Sequence, residues 1–274
     1  MAKLPLPMLP LSATRLTTFS RCPRAYYFRY EQKAPGKPVR ATLLGRSIHE
    51  ALAQFHQWPG WRGLPSLAVL QEAWVAAARA LPEPQEKEGW QLLRMYYQKF
   101  VEPLDQWCEP LATEGRLEGT LQAGPVEFKL GGRYDRLETL RPHTKKGRGA
   151  ALAVTDYKTS RTVLPPDQLA MDIQMGLYQI ALNQRYQGSL AQVNHIYLRT
   201  GDIVQFEAHE EQQVVVKAKI QGLACALMED NAFAPKEGEH CRSCEYRKFC
   251  PAIHARPESL PQQTRSLQLS LLSG

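Results

Sequence analysis

The sequence predicts an α/β fold, a mixed central sheet flanked by helices. Three observations predict it. Residues 114–140 carry the alternating pattern of strands. Residues 151–178, ALAVTDYKTSRTVLPPDQLAMDIQMGLY, read as a short apolar strand, a Pro-containing loop and a helix. Residues 191–201 and 202–209 read as a strand pair, after which the helical period returns through 210–229.

The remaining elements follow in chain order. The N-terminus, MAKLPLPMLPLSA, is broken by prolines and has no signal-peptide core. In SATRLTTFSRCPRAYYFRY (12–30), Ser12 or Thr14 is the expected N-cap, and Pro23 should break or restart the helix just after Cys22. Aromatic residues there alternate with Arg15, Arg21, Arg24 and Arg29. One face fits core packing, with Phe19 and Tyr27 in it. The other fits nucleic acid, with guanidinium groups on phosphates. Residues 31–44 read as a Lys/Pro/Gly loop, and Gly45 to Phe55 as a helix with His49 in its opening turn. Segments 66–80 and 89–109 read as a helical insertion burying Trp74, Trp90, Tyr97 and Trp107, separated by the breaker-rich LPEPQEKEG. PVEFKLGGRYDRLETL (125–140) reads as a hairpin that puts Asp135 in a strand, and RPHTKKGRGA (141–150) as a basic loop, solvated or touching DNA.

The bulk properties bound the function. A chain of 274 residues suits one large domain or two merged ones. Its hydrophobic fraction of 43% and charged fraction of 22% are those of a soluble globular protein. No run approaches the roughly 18 apolar residues of a membrane span, so a cytoplasmic location without a membrane partner is expected. A net charge of +7 and a pI near 9.1 favour a polyanionic partner, although solvated basic surfaces without one are common. No Walker-type phosphate loop occurs, so the chain carries no ATP motor of its own. Six cysteines in a cytosolic chain point to metal or cluster ligation rather than disulfides.

The chemistry concentrates in four residues: His49, Asp135, Asp156 and Lys158. One or two carboxylates suffice to hold magnesium, and an imidazole suits manganese at least as well. Such an ion polarises a phosphoryl oxygen and lowers the pKa of a bound water. In a strand, Lys158 shares a face with Asp156, where it can orient that water or neutralise charge growing on phosphate. Tyr157 points the other way but offers its backbone carbonyl to the metal. Gln174 and Tyr178, one helical turn apart, can reach one phosphate or base together. His56 is the decoy histidine.

Gly45-Arg46-x-x-His49, Gly132-x-x-Asp135-Arg136, Asp156-x-Lys158 and Gln174-x-x-x-Tyr178 together resemble the PD-(D/E)XK nuclease superfamily, specifically its RecB-like exonucleases with an iron–sulfur cluster. The likeness runs from about residue 12 to 252, with Tyr134-Asp135 in place of the nominal Pro-Asp. It implies a restriction-endonuclease-like fold and a metal-dependent DNA exonuclease acting on single-stranded or frayed ends in repair or recombination. His49, Asp135, Asp156 and the Tyr157 carbonyl would bind magnesium or manganese, and Lys158 would assist catalysis. Gln174, Tyr178, Arg46, Arg136 and Arg24 would contact DNA. EHCRSCEYRKFCP (239–251) holds Cys241, Cys244 and Cys250, and spacing alone leaves zinc and a [4Fe-4S] cluster both open. The resemblance favours the cluster and supplies Cys22 as its fourth ligand, stapling a terminal cap. Cys108 and Cys225 read as core residues.

The expected organisation is an N-terminal helix and loop (1–44), a nuclease core (45–230) with an insertion at about 60–112, a cysteine cluster (231–256) and a disordered tail (257–274). Within the tail, Gln268-Leu269-Ser270-Leu271-Leu272 looks like a peptide that binds the bacterial sliding clamp. A helicase is a further candidate partner. Two other readings stand beside the exonuclease: a CRISPR adaptation nuclease of the same fold, and a non-catalytic DNA-end-binding subunit of a helicase complex.

Overall fold

A computed structural model describes residues 11–35, 40–140, 151–186, 190–207 and 209–260. The basic loop 141–150 and the peptide Gln268–Leu272 lie outside the described residues. The helices are α1 (Ala13–Arg21), α2 (Pro23–Tyr26), α3 (Arg40–Phe55), α4 (Leu67–Ala77), α5 (Glu83–Phe100), α6 (Pro166–Ala170), α7 (Ile173–Arg185) and α8 (Glu210–Glu229). The strands are β1 (Ala112–Ala123), β2 (Val126–Thr139), β3 (Leu152–Lys158), β4 (Leu190–Tyr197) and β5 (Asp202–Glu207). The chain divides into two compact units, residues 1–17 with 38–229 and residues 18–37 with 230–274.

The larger unit is built on a five-stranded sheet in the order β1-β2-β3-β4-β5. Only β3 and β4 run parallel; the other neighbours are antiparallel. A parallel pair needs a crossover, and α6 and α7 supply it. β3 is buried along nearly its whole length, as a central strand covered on both faces should be. Side chains alternate across it. Tyr157 joins Tyr96, Phe55, Trp74 and Trp107 in the apolar core of α3, α4 and α5. Asp156 and Lys158 face α7 instead.

Several boundaries differ from those the sequence suggests. Within residues 125–140 the chain forms one long strand, Val126–Thr139, and the hairpin turns at Gly124, whose φ of 55° suits glycine. α3 begins at Arg40 inside the expected loop, so His49 lies in its interior. α5 begins at Glu83 within the expected breaker. Pro84 sits in its first turn, where a missing N–H breaks no helical bond, and the helix ends at Phe100. Cys108 is exposed and Cys225 half-buried, so neither is the core residue expected.

In the smaller unit, Cys22 separates α1 from α2, and Pro23 opens the second helix. Phe28, Tyr246 and Phe249 pack around Cys22.

Candidate active site

Four elements of the larger unit converge on the acidic residues. The hairpin register pairs Thr113 with Arg136 and Gly115 with Tyr134, which sets Glu114 on β1 opposite Asp135 on β2. From α3, His49 Nδ1 comes within 3.1 Å of Asp135 Oδ1 and 3.8 Å of a Glu114 oxygen. Asp135 Oδ2 accepts a hydrogen bond from the Tyr157 backbone N–H at 2.7 Å. That bond ties β2 to the strand segment carrying Asp156 and Lys158.

Asp156 is buried and held on both oxygens. Gln174 Nε2 donates to Oδ1 at 2.8 Å, and the Tyr178 hydroxyl lies 3.0 Å from the same atom. Lys158 Nζ stands 2.7 Å from Oδ2 and donates to Gln174 Oε1 at 2.9 Å. Gln174 therefore reads both members of the acid–lysine pair, which fixes the direction of its amide. α7 brings it there with an N-cap: the Asp172 side chain accepts from the backbone N–H groups of Gln174 and Met175. The helix is seated closely, since a Cβ on Gly176 would fall 2.7 Å from Val216 and Ile220 of α8.

The charges are strongly coupled. Burial, then the charge of Asp156, pushes the Asp135 carboxyl above its ordinary range. Burial also pushes Asp156 upward, but Lys158 first and His195 next outweigh it and leave the group lowered. Burial opposes protonation of His49, yet the hydrogen bond and charge of Asp135 leave it raised. Glu114 is raised by burial and by Asp135, and its backbone sits at a φ of 48°, rare for a residue with a side chain. Lys158 is raised because Asp156 overcomes its burial.

Like-charged carboxylates held together in this way suit a divalent cation. Ligand atoms of His49, Glu114 and Asp135 all lie within 4.8 Å of one another, the one such trio of His, Cys, Asp or Glu among the described residues. Oxygen donors with one imidazole match magnesium or manganese. Beside the trio opens a groove lined by Arg46, Glu50, Gln54, Gln57 and Arg133, with Arg133 also 3.6 Å from Glu114.

The chain matches the sequence model of the PD-(D/E)XK nuclease superfamily over residues 10–251. It belongs to that superfamily. Membership supports hydrolytic nuclease activity, with DNA as the substrate class and a divalent metal as the usual cofactor. No curated protein sequence matches this superfamily member. Solved structures similar to it include the following two. The crystal structure of SSO0001 has 17% identity and a TM-score of 0.41, over 91% of this chain and 89% of that one. A candidate exonuclease from Eubacterium rectale has 13% identity and a TM-score of 0.49, over 96% of this chain and 94% of that one.

The structure thus gathers His49, Asp135, Asp156, Lys158, Gln174 and Tyr178, with Arg46 on the groove wall. The other residues expected at DNA have partners within the chain. The buried guanidinium of Arg136 lies 2.8 Å from His56 Nε2 and 3.0 Å from the Tyr96 hydroxyl, and it pairs with Glu138 at 3.1 Å. The side chains of Gln174 and Tyr178 both reach Asp156, and that of Gln174 also accepts from Lys158. Arg24 belongs to the smaller unit, where it bonds the Ala232 carbonyl oxygen and lies over the Tyr27 ring. His56 is structural, as its decoy reading implied, since Arg136, Tyr96 and Tyr157 surround its Nε2.

Sequence reasoning missed Glu114, Arg133 and His195. Only the hairpin register reveals Glu114 and Arg133. His195 lies beside Asp156 in the parallel β3–β4 register. Burial pushes its imidazole down to about 4, despite the pull of Asp156.

Within the smaller unit, Cys22, Cys241, Cys244 and Cys250 line one small cavity, and all four are free thiols. Burial raises the Cys244 thiol, and the other three cysteines raise it further.

Proposed function

We propose that the protein is a metal-dependent DNA exonuclease of the RecB-like type, acting on single strands or frayed ends in DNA repair or recombination. The observation that carries this reading is the unbroken chain of contacts from His49 through Asp135 to the Tyr157 backbone, and on to Asp156, Lys158 and Gln174. A purely structural cluster has no need to bury two carboxylates whose charges repel.

His49, Glu114, Asp135 and Asp156 would hold magnesium or manganese, with the Tyr157 carbonyl as a backbone ligand. The bound ion would supply a Lewis acid to the phosphate and a more acidic water. Everything else falls to the chain. Gln174 and Tyr178 fix Asp156 and leave Lys158 a second acceptor, so its ammonium can turn to the phosphate without losing its anchor. There it would neutralise charge growing on the phosphoryl oxygens or orient the attacking water. Arg46 and Arg133, on the groove, would bind neighbouring phosphates and set the strand's path.

The four thiols would hold a [4Fe-4S] cluster as a structural staple of the smaller unit. Four thiolates suit tetrahedral zinc as well as a cluster, and it is the likeness to the RecB-like exonucleases that favours the cluster. A cytoplasmic location, a helicase partner and clamp binding through Gln268–Leu272 belong to the same proposal.

End-labelled single-stranded DNA incubated with the protein and manganese tests the reading. Progressive shortening from one end supports it, and binding without cleavage in every metal supports the non-catalytic end-binding role instead.

A further inference from the structure

His195 has no part in the reading above, yet it occupies a costly position. It lies on β4 in parallel register with Asp156, so both side chains project from the same face of the sheet. The residue is 2% exposed, and neither ring nitrogen has a hydrogen-bond partner. Burying an imidazole without partners costs folding free energy that a leucine would not. An unsatisfied buried group of this kind calls for a functional reason.

The neighbouring atoms supply one. His195 Nε2 stands 3.9 Å from Asp156 Oδ2. That oxygen faces Lys158 alone, as an ion pair at 2.7 Å, whereas Oδ1 is held by Gln174 and Tyr178. Lys158 has a second acceptor in Gln174 Oε1. A cation reaching Asp156 repels the Lys158 ammonium, and Oδ2 then loses its only close partner. A shift of about 1 Å brings Nε2 into hydrogen-bond range of it.

We propose that His195 is a positioning residue for Asp156: its Nε2–H takes up Oδ2 when Lys158 turns away, and so fixes the carboxylate in its ligating orientation. The role rests on the metal-dependent reading of the site. It resembles the outer-shell bonds that orient metal ligands elsewhere, whose loss costs about 10- to 100-fold in affinity.

The test compares the full-length wild type with His195→Leu and His195→Gln. Manganese affinity is measured by electron paramagnetic resonance, and melting temperature is measured in chelator. Leucine should raise the metal-free melting temperature and weaken manganese binding by about 10- to 100-fold. Glutamine, which keeps a donor near the Nε2 position, should recover most of that affinity. Should the leucine variant fail to fold, His195→Phe takes its place. Wild-type affinity in the apolar variant, or a glutamine variant as weak as it, overturns the proposal. A wild type that binds manganese yet cleaves no DNA overturns the nuclease reading and leaves His195 its role. A wild type that binds no manganese overturns both.

Discussion

Asp135 on β2 accepts a hydrogen bond from the backbone N–H of Tyr157 on β3 at 2.7 Å, while its other oxygen lies 3.1 Å from His49. One carboxylate thus locks helix α3 and strand β3 into a single active-site geometry. Asp135→Asn keeps the shape but removes the charge, so it should lower cleavage by at least about 100-fold, beyond the loss typical of outer-shell changes. It should also raise the metal-free melting temperature by relieving repulsion from Asp156. Cleavage rates and melting curves in chelator check both halves.

Arg133 and Arg46 should act on affinity rather than chemistry, since they line the groove beside the acidic cluster. Arg133→Gln should weaken DNA binding and flatten its salt dependence by about one phosphate contact, with the rate at saturating DNA nearly unchanged. Binding titrations across salt concentrations measure the slope.

Arg136 is the contrasting case. Its guanidinium is committed to His56, Tyr96 and Glu138. Arg136→Met strands these partners, and unfolding stability should fall by roughly 3 kcal/mol. Urea denaturation reports the loss. DNA affinity of the folded fraction should stay at the wild-type level.

Two buried histidines make the fold acid-sensitive. His56 is held well below 6.5 by burial and then by Arg136, and burial holds His195 at about 4. The unfolded chain protonates both near 6.5 while the fold keeps them neutral. Their stability is therefore complete above 6.5 and drains away as pH falls, down to about 4 for His195. Each contributes a slope of up to about 1.4 kcal/mol per pH unit. His56→Gln should flatten the acid limb by about half of their joint slope, as denaturant melts between pH 7 and 4.5 would show.

The cysteine site predicts its own chemistry. Anaerobically purified protein should carry iron and acid-labile sulfide, and Cys244→Ser should lose both. Zinc in place of iron would contradict the cluster.

The sequence carried the α/β class and the core of the site because both are written locally. Asp156 and Lys158 sit in one strand, Gln174 and Tyr178 on one helical turn, and three cysteines within ten residues of chain. What escaped it depends on register and burial. Glu114 becomes a neighbour of Asp135 only when the hairpin turns at Gly124, and nothing in the segment around Glu114 announces that pairing. His195 meets Asp156 only through a parallel pair whose crossover spans more than thirty residues. The surroundings of Arg136 escaped it as well. An arginine beside an acidic motif suggests DNA, but strand alternation turns it to the far face, into the aromatic core around Tyr96 and Tyr157.

The most direct test of the central claim is cleavage of end-labelled single-stranded DNA by anaerobically purified protein. It is run with magnesium and with manganese, beside Asp156→Ala and Lys158→Ala. Metal-dependent shortening of the strand is expected, reduced by at least about 100-fold in each variant. Cleavage that persists at wild-type rate in both variants, or DNA that is bound but left intact by the wild type in either metal, would contradict it.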